Sequence, residues 1–205
     1  MPGRILDTLS LGQLLAESSK LGREFYARPP VEVARECLGK ILVHGKTAGR
    51  IVETEAYLGV DDRAAHAWRG ITDRTRLLFG PPGHAYVYFI YGMYECLNFV
   101  AEEKGKAGCV LIRALEPLAG IQVMQKRRPK AHRLEDLASG PGKLTLALDI
   151  TRKLNGADLT RGPLEVRKPK HEDPIEIEVT PRVGITHCAD WPLRFLIAGS
   201  RFVIR

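Results

Sequence analysis

The chain has 205 residues, 44% of them hydrophobic and 27% charged, with a formal net charge of +7 and a pI near 9.4. This composition suits one well-packed core and excludes a low-hydrophobicity disordered chain. The basic excess points to a polyanionic partner, nucleic acid before an anionic membrane, and no stretch approaches the roughly 18 apolar residues of a membrane helix.

In chain order, Ser10 to Ser19 has helical spacing through Leu11, Leu14 and Leu15. Pro30 is placed to open a second helix, Val31 to Leu38, which Gly39 would stop. Lys40 to His44 and Arg50 to Tyr57 read as strands of a hairpin joined through Gly45 to Gly49. Residues 58–83 are polar and rich in glycine and proline, a loop long enough to suggest function. Strands are expected near His84 to Tyr91, Glu95 to Ala101 and Gly108 to Ala114, then helices over Leu118 to Arg128 and Lys143 to Asp149. Final strands fall near Ile175 to Thr180 and Leu193 to Ile204. Successive hairpins with flanking helices predict an α+β fold: a single mixed domain over 1–205, with a curved, largely antiparallel sheet and an N-terminal arm over 1–24.

Cys37, Cys96, Cys109 and Cys188 contain no C-x-x-C pair, and the six histidines show no i, i+4 pairing. These spacings argue against a metal centre and for reduced thiols. There is neither a Walker A sequence nor a dinucleotide fingerprint, so no cofactor is expected. The N-terminus lacks a signal pattern, which reads as intracellular.

Several side chains could carry chemistry. Strand alternation would send Glu53, Glu55 and Tyr57 to one face and Val52, Thr54 and Ala56 to the other. A carboxylate one step from an aromatic ring can flank a planar substrate. His66, on the following loop, could stack on a base and hydrogen-bond to it. Arg113 ends an apolar strand, where it could hold a carboxylate ionised or pair with Glu116. Four tyrosines crowd into Tyr86 to Tyr94, and the Tyr91-Gly92-Met93 turn could present a wedge to duplex DNA. The basic run with Lys126, Arg127 and Arg128, followed by Lys143 after a glycine-rich turn, offers phosphate contacts.

Val52-Glu53-Thr54-Glu55-Ala56-Tyr57, His66, Tyr86 through Asn98, Cys109 through Pro117, Ser139 through Leu144, Arg182 through Ile185 and Pro192 through Phe195 together resemble the alkyladenine (3-methyladenine) DNA glycosylases. The resemblance runs from about Phe25 to the end. It implies a single mixed α/β domain without a helix-hairpin-helix. It implies Glu55 as general base on a water, with Arg113 holding both. Tyr57, His66 and Tyr88 would sandwich a flipped base, Asn98 would form the pocket floor, and Tyr91, with Met93 beside it, would fill the vacated space. The implied partner is double-stranded DNA containing damaged purines, bound by a monomer. The compartment would be the bacterial cytoplasm and nucleoid, or a eukaryotic nucleus. Thr72-Asp73-Arg74-Thr75, Leu78 and Glu95 depart from the family's usual residues. A catalytically inactive binding module of the same fold and an O-glycoside hydrolase using Glu53 and Glu55 are the competing readings.

Overall fold

A computed structural model describes residues 10–90 and 92–203. Helix α1 (Leu11–Ala16) opens on a capping box: Gln13 N–H donates to Ser10 Oγ at 3.2 Å and Ser10 N–H to Gln13 Oε1 at 3.1 Å. A short strand β1 (Ser18–Lys20) and helix α2 (Arg23–Tyr26) follow. Helix α3 (Pro30–Cys37) begins at its proline, as the sequence suggests, and Gly39 follows at φ 81°.

The hairpin of β2 (Ile41–His44) and β3 (Thr47–Tyr57) turns more tightly than expected. Its loop is Gly45-Lys46, closed by Thr47 Oγ1 donating to His44 C=O at 2.8 Å, so Thr47 to Gly49 belong to the strand. After three single 3-10 turns come β4 (Ala85–Ile90), β5 (Tyr94–Val100) and β6 (Cys109–Ala119). β6 runs past Ala114, and α4 (Ile121–Arg127) starts later than the expected Leu118. Gly120 separates them at φ 72°, where a Cβ would stand 2.1 Å from Lys46 O, so only glycine fits this corner. Helix α5 (Pro141–Leu148) precedes β7 (Leu164–Pro169), β8 (Ile177–Thr180) and β9 (Arg194–Ile197). The sequence reading contained neither β1 nor β7. Both are short, and they pair with each other at the sheet's margin.

The strands form one sheet in the order β1-β7-β2-β3-β6-β5-β4, and β8 and β9 branch from β3. Every pairing between named strands is antiparallel, so the expected α+β architecture holds. Val33 and Cys37 of α3, Met124 of α4 and Leu144 and Leu148 of α5 are buried against Leu42, Ile51, Phe99 and Leu115. Each such side chain contributes about 1.5–3 kcal/mol of burial.

β3 is not a regular strand. Its register against β6 slips on both sides of Glu53. Ile51 and Ala56 join the helix-covered core, and Thr54 Oγ1 donates to Ala34 C=O at 2.8 Å. Val52 instead packs with Ala114 and Phe202. The expected grouping of Val52 with Thr54 and Ala56 therefore fails, because a bulge breaks the alternation beside the site.

A buried ion pair anchors the loop that follows. Asp62 and Arg182 have fully buried side chains. Arg182 Nη2 donates to Asp62 Oδ1 at 2.9 Å and Nη1 to the other carboxylate oxygen. Nη1 also donates to Ala56 C=O at 3.0 Å. Asp62 accepts the backbone N–H groups of Leu58 and Ala64 at 3.2 and 3.0 Å. Removing one partner strands the other charge in the interior. Asp62→Ala should lower unfolding free energy by roughly 3–5 kcal/mol, read from urea denaturation. A loss below about 1 kcal/mol would mean that other contacts hold the loop.

Candidate active site

A cavity of about 370 Å³ opens where β3, β6, β4 and β5 meet the loop that follows β3. Tyr57, His66, Tyr88, Asn98 and Arg113 all line it, so the sheet gathers these expected site residues around one space. Glu55 sits behind Tyr57 on β3 and is fully buried.

The Glu55 carboxylate is held from three sides. Its Oε1 accepts Val183 N–H at 2.8 Å and faces Arg113 Nη1 at 3.3 Å. Its Oε2 accepts the Tyr57 hydroxyl at 2.9 Å. Burial pushes the Glu55 pKa up, against the pull of Arg113, the Val183 N–H and the Tyr57 hydroxyl; repulsion from Glu53 adds to the rise. Burial and the Glu55 charge also raise the Tyr57 pKa, so the phenol keeps its proton and remains a donor.

Arg113 does not turn to Glu116, which lies 3.7 Å from Arg50. Its Nε donates to Glu53 Oε1 at 3.0 Å, and Arg194 Nε donates to the same oxygen at 2.6 Å. Burial opposes the Arg113 charge, but Glu55 and Glu53 outweigh it, and its pKa is raised. Glu53 is thus an anchor for two arginines, and Glu55 lies behind the cavity-lining Tyr57 and Arg113.

The aromatic wall is cross-braced. His66 meets Tyr88 edge-on at 4.6 Å, and Tyr86 and Tyr88 lie 5.5 Å apart. His66 Nδ1 is 3.0 Å from the Tyr86 hydroxyl, and Nε2 is 3.2 Å from Arg74 Nη2. A guanidinium only donates, so Nε2 must accept and the ring proton sits on Nδ1, directed at Tyr86. Burial, and then Arg74, lower the His66 pKa to about 4, so the ring is neutral at physiological pH. Asn98 is buried on β5, its Nδ2 donating to Tyr86 C=O at 3.2 Å, which fixes the amide at the cavity floor.

Tyr91 falls outside the described residues, and the remaining expected residues lie outside this space. Met93 is 65% exposed at the β4–β5 turn. Arg127 Nη1 donates to Ala147 C=O at 2.9 Å, and Arg128 caps the carbonyls of Asp136 and Leu137. Lys143 reaches Ser139 Oγ at 3.4 Å, and Lys126 is exposed on α4. Sequence reasoning gives no site role to Arg74, Tyr86 or Arg182 and reads Asp61-Asp62 as a helix or turn cap, which fits Asp62 accepting the Leu58 and Ala64 N–H groups. The Arg182-Val183-Gly184-Ile185 motif was the available signal for Arg182, and it also delivers the N–H on Glu55.

Residues 24–201 match the family model described as methylpurine-DNA glycosylase. A relative from Methanoculleus marisnigri is 54% identical over 187 residues, covering 88% of this chain and 96% of its own length. One from Koribacter versatilis is 48% identical, covering 92% and 95%, and one from Clostridium acetobutylicum is 47% identical, covering 90% and 97%. All three carry the name "Putative 3-methyladenine DNA glycosylase". Fold, site and kinship define the class as a DNA glycosylase, a hydrolase of DNA repair. The chain belongs to the methylpurine-DNA glycosylase family.

The His66 assignment can be read without substrate. Nitrogen-detected NMR should show the Nδ1–H tautomer, neutral down to about pH 5. In Arg74→Ala the pKa should climb from about 4 toward the ordinary ~6.5, because one of its two depressing influences is gone. An unmoved titration would leave burial alone responsible.

Proposed function

We propose that this enzyme flips alkylated or deaminated purines out of duplex DNA and hydrolyses their N-glycosidic bonds. The substrates are 3-methyladenine, 7-methylguanine, hypoxanthine and ethenoadenine, and the product is an abasic site. The supporting observation is the fully buried Glu55 carboxylate held by Arg113, Val183 N–H and Tyr57, all three of which line an aromatic cavity.

The reaction breaks the bond between the purine nitrogen and C1′ of the sugar, which acquires oxocarbenium character. Glu55, held anionic by Arg113, stabilises that charge and takes a proton from the water that attacks C1′. The departing electron pair goes to the purine. A base that is already cationic, such as 7-methylguanine, leaves without further help, whereas hypoxanthine must gain a proton as it leaves.

The walls favour such substrates. The faces of Tyr57 and Tyr88 attract an electron-poor ring, and a neutral His66 adds no repulsion. At the floor, the Asn98 amide would clash with the exocyclic amino group of normal guanine. Tyr91, next in sequence after β4, is assigned the wedge that fills the emptied stack, with Met93 near it in sequence. No lysine is among the described residues that line the cavity, which supports hydrolysis over Schiff-base formation and hence a monofunctional enzyme.

Single-turnover excision from a duplex with one hypoxanthine or ethenoadenine tests this directly. Glu55→Gln should lose roughly 10²–10⁴-fold in rate while keeping lesion binding. Lesion binding with no product from the wild type, on methylated DNA as well, would instead identify an inactive binding module. With 7-methylguanine as substrate, the rate should fall as pH drops through the raised Glu55 pKa, because the anion is the working form. Arg113→Ala should move that limb to still higher pH; a limb that stays put would remove Arg113 as the group holding the charge. Asn98→Ala should raise excision of normal guanine relative to the lesion, and unchanged discrimination would take Asn98 out of that role.

A further inference from the structure

The segment Ala64 to Ala67 lines the cavity, and Arg63 and Arg69 bracket it. Both guanidiniums lie over the Trp68 ring, their Cζ atoms 5.5 and 5.0 Å from its centroid. All three side chains belong to exposed residues. Among the described residues, neither arginine has a carboxylate partner. Other charges of the same loop are already engaged: Asp62 with Arg182, and Asp73 with Arg76 at 2.7 Å. Arg74, though exposed, is hydrogen-bonded to His66 and Tyr86. Exposed Asp61 is the nearby acid left over among the described residues. The net result is two uncompensated, outward-facing guanidiniums at the cavity rim.

The run from Lys126 to Arg133 has a richer sequence, but its three arginines are engaged. Arg127 lies 3.7 Å from Asp149 and Arg133 lies 3.3 Å from Asp136, while Arg128 is occupied by two carbonyls.

We infer that Arg63 and Arg69, supported by Trp68, form the ledge that grips the phosphates of the lesion-bearing strand next to the flipped nucleotide. This rests on the cavity's taking a flipped base. A base inside the cavity leaves its own sugar and flanking phosphates at the mouth, beside the residues that border the lining segment. Arginine suits the task because its planar fork matches phosphate oxygens. Stacking on Trp68 pre-orders the forks, so less freedom is lost when they bind. The contact reads backbone and not base identity, so it should serve damaged and undamaged DNA alike.

The test is the salt dependence of duplex binding, followed by fluorescence anisotropy on lesion-containing and undamaged DNA. Arg63→Gln/Arg69→Gln should reduce the slope of log K against log salt by roughly 1.8, at about 0.9 per phosphate contact, on both duplexes. Each single variant should give about half that change. Trp68→Leu should keep the slope and weaken binding, since the charges remain but their support is gone. Lys126→Gln/Lys130→Gln tests the rival footprint and should change the slope less than the arginine pair does. An unchanged slope in the arginine variant with an unchanged thermal unfolding midpoint, or a larger loss in the lysine variant, overturns the ledge. Excision assays on the same proteins separate the two readings. Normal excision by the wild type with no slope change in the arginine variant sinks the ledge alone. The expected slope change without any excision by the wild type keeps the ledge and sinks the hydrolytic reading.

Discussion

The site depends on the buried pair of Arg182 and Asp62. The guanidinium bonds the carboxylate and the carbonyl of Ala56, and lies over the Tyr57 ring with its Cζ 4.6 Å from the centroid. Three pieces of chain are thereby fixed to the end of β3: the loop after Tyr57, the segment before β9, and the aromatic ring itself. The residue after Arg182 supplies the N–H on Glu55. One ion pair therefore sets both the cavity wall and the hydrogen bond that positions the carboxylate. Buried charges stabilise best when their lone pairs and protons find partners; Asp62 meets that demand with two backbone N–H groups besides the arginine, while Arg182 Nε is buried without a hydrogen-bond partner among the described residues.

A second balance is electrostatic. Burial pushes the Glu55 pKa up, toward the neutral form, which cannot act as a base. Arg113 opposes this, but a single arginine between two glutamates is divided between them. Arg194 resolves the competition by sharing Glu53, so that Arg113 can turn one nitrogen to Glu55. The proposed chemistry thus draws on a residue from β9 that is not among those lining the cavity. The β3 bulge assists, since it places Glu53 and Glu55 where the same guanidinium reaches both.

Much of this was legible in the sequence, for definite reasons. Apolar runs and turn residues located most strands, and proline and glycine marked the ends of α3. The family motifs gathered Glu55, Tyr57, His66, Tyr88, Asn98 and Arg113 before any coordinates placed them together. What escaped depended on contacts distant in the chain. Nothing local in Asp61-Asp62 tells which aspartate is buried, because the partner lies 120 residues away. The bulge at Glu53 is set by pairing with β6 and β9 and not by the strand's own pattern. Arg127 and Arg128 looked free because their acceptors are carbonyls, which a sequence does not display. Arg74 looked like one more surface charge until the fold brought it to His66.

The sheet order has a consequence for how such an enzyme diverges. The carboxylate stands on β3, whereas Tyr86, Tyr88 and Asn98 stand on the β4–β5 hairpin, two strands away across β6. On the proposed reading, the hydrolytic carboxylate and the base-recognising wall, Tyr57 and His66 excepted, are therefore carried by separate parts of one scaffold. On that reading, mutations can reshape the hairpin, and with it the range of bases admitted, while the proposed hydrolytic half keeps its geometry. An ancestor specialised for one lesion could broaden its diet without reinventing its chemistry.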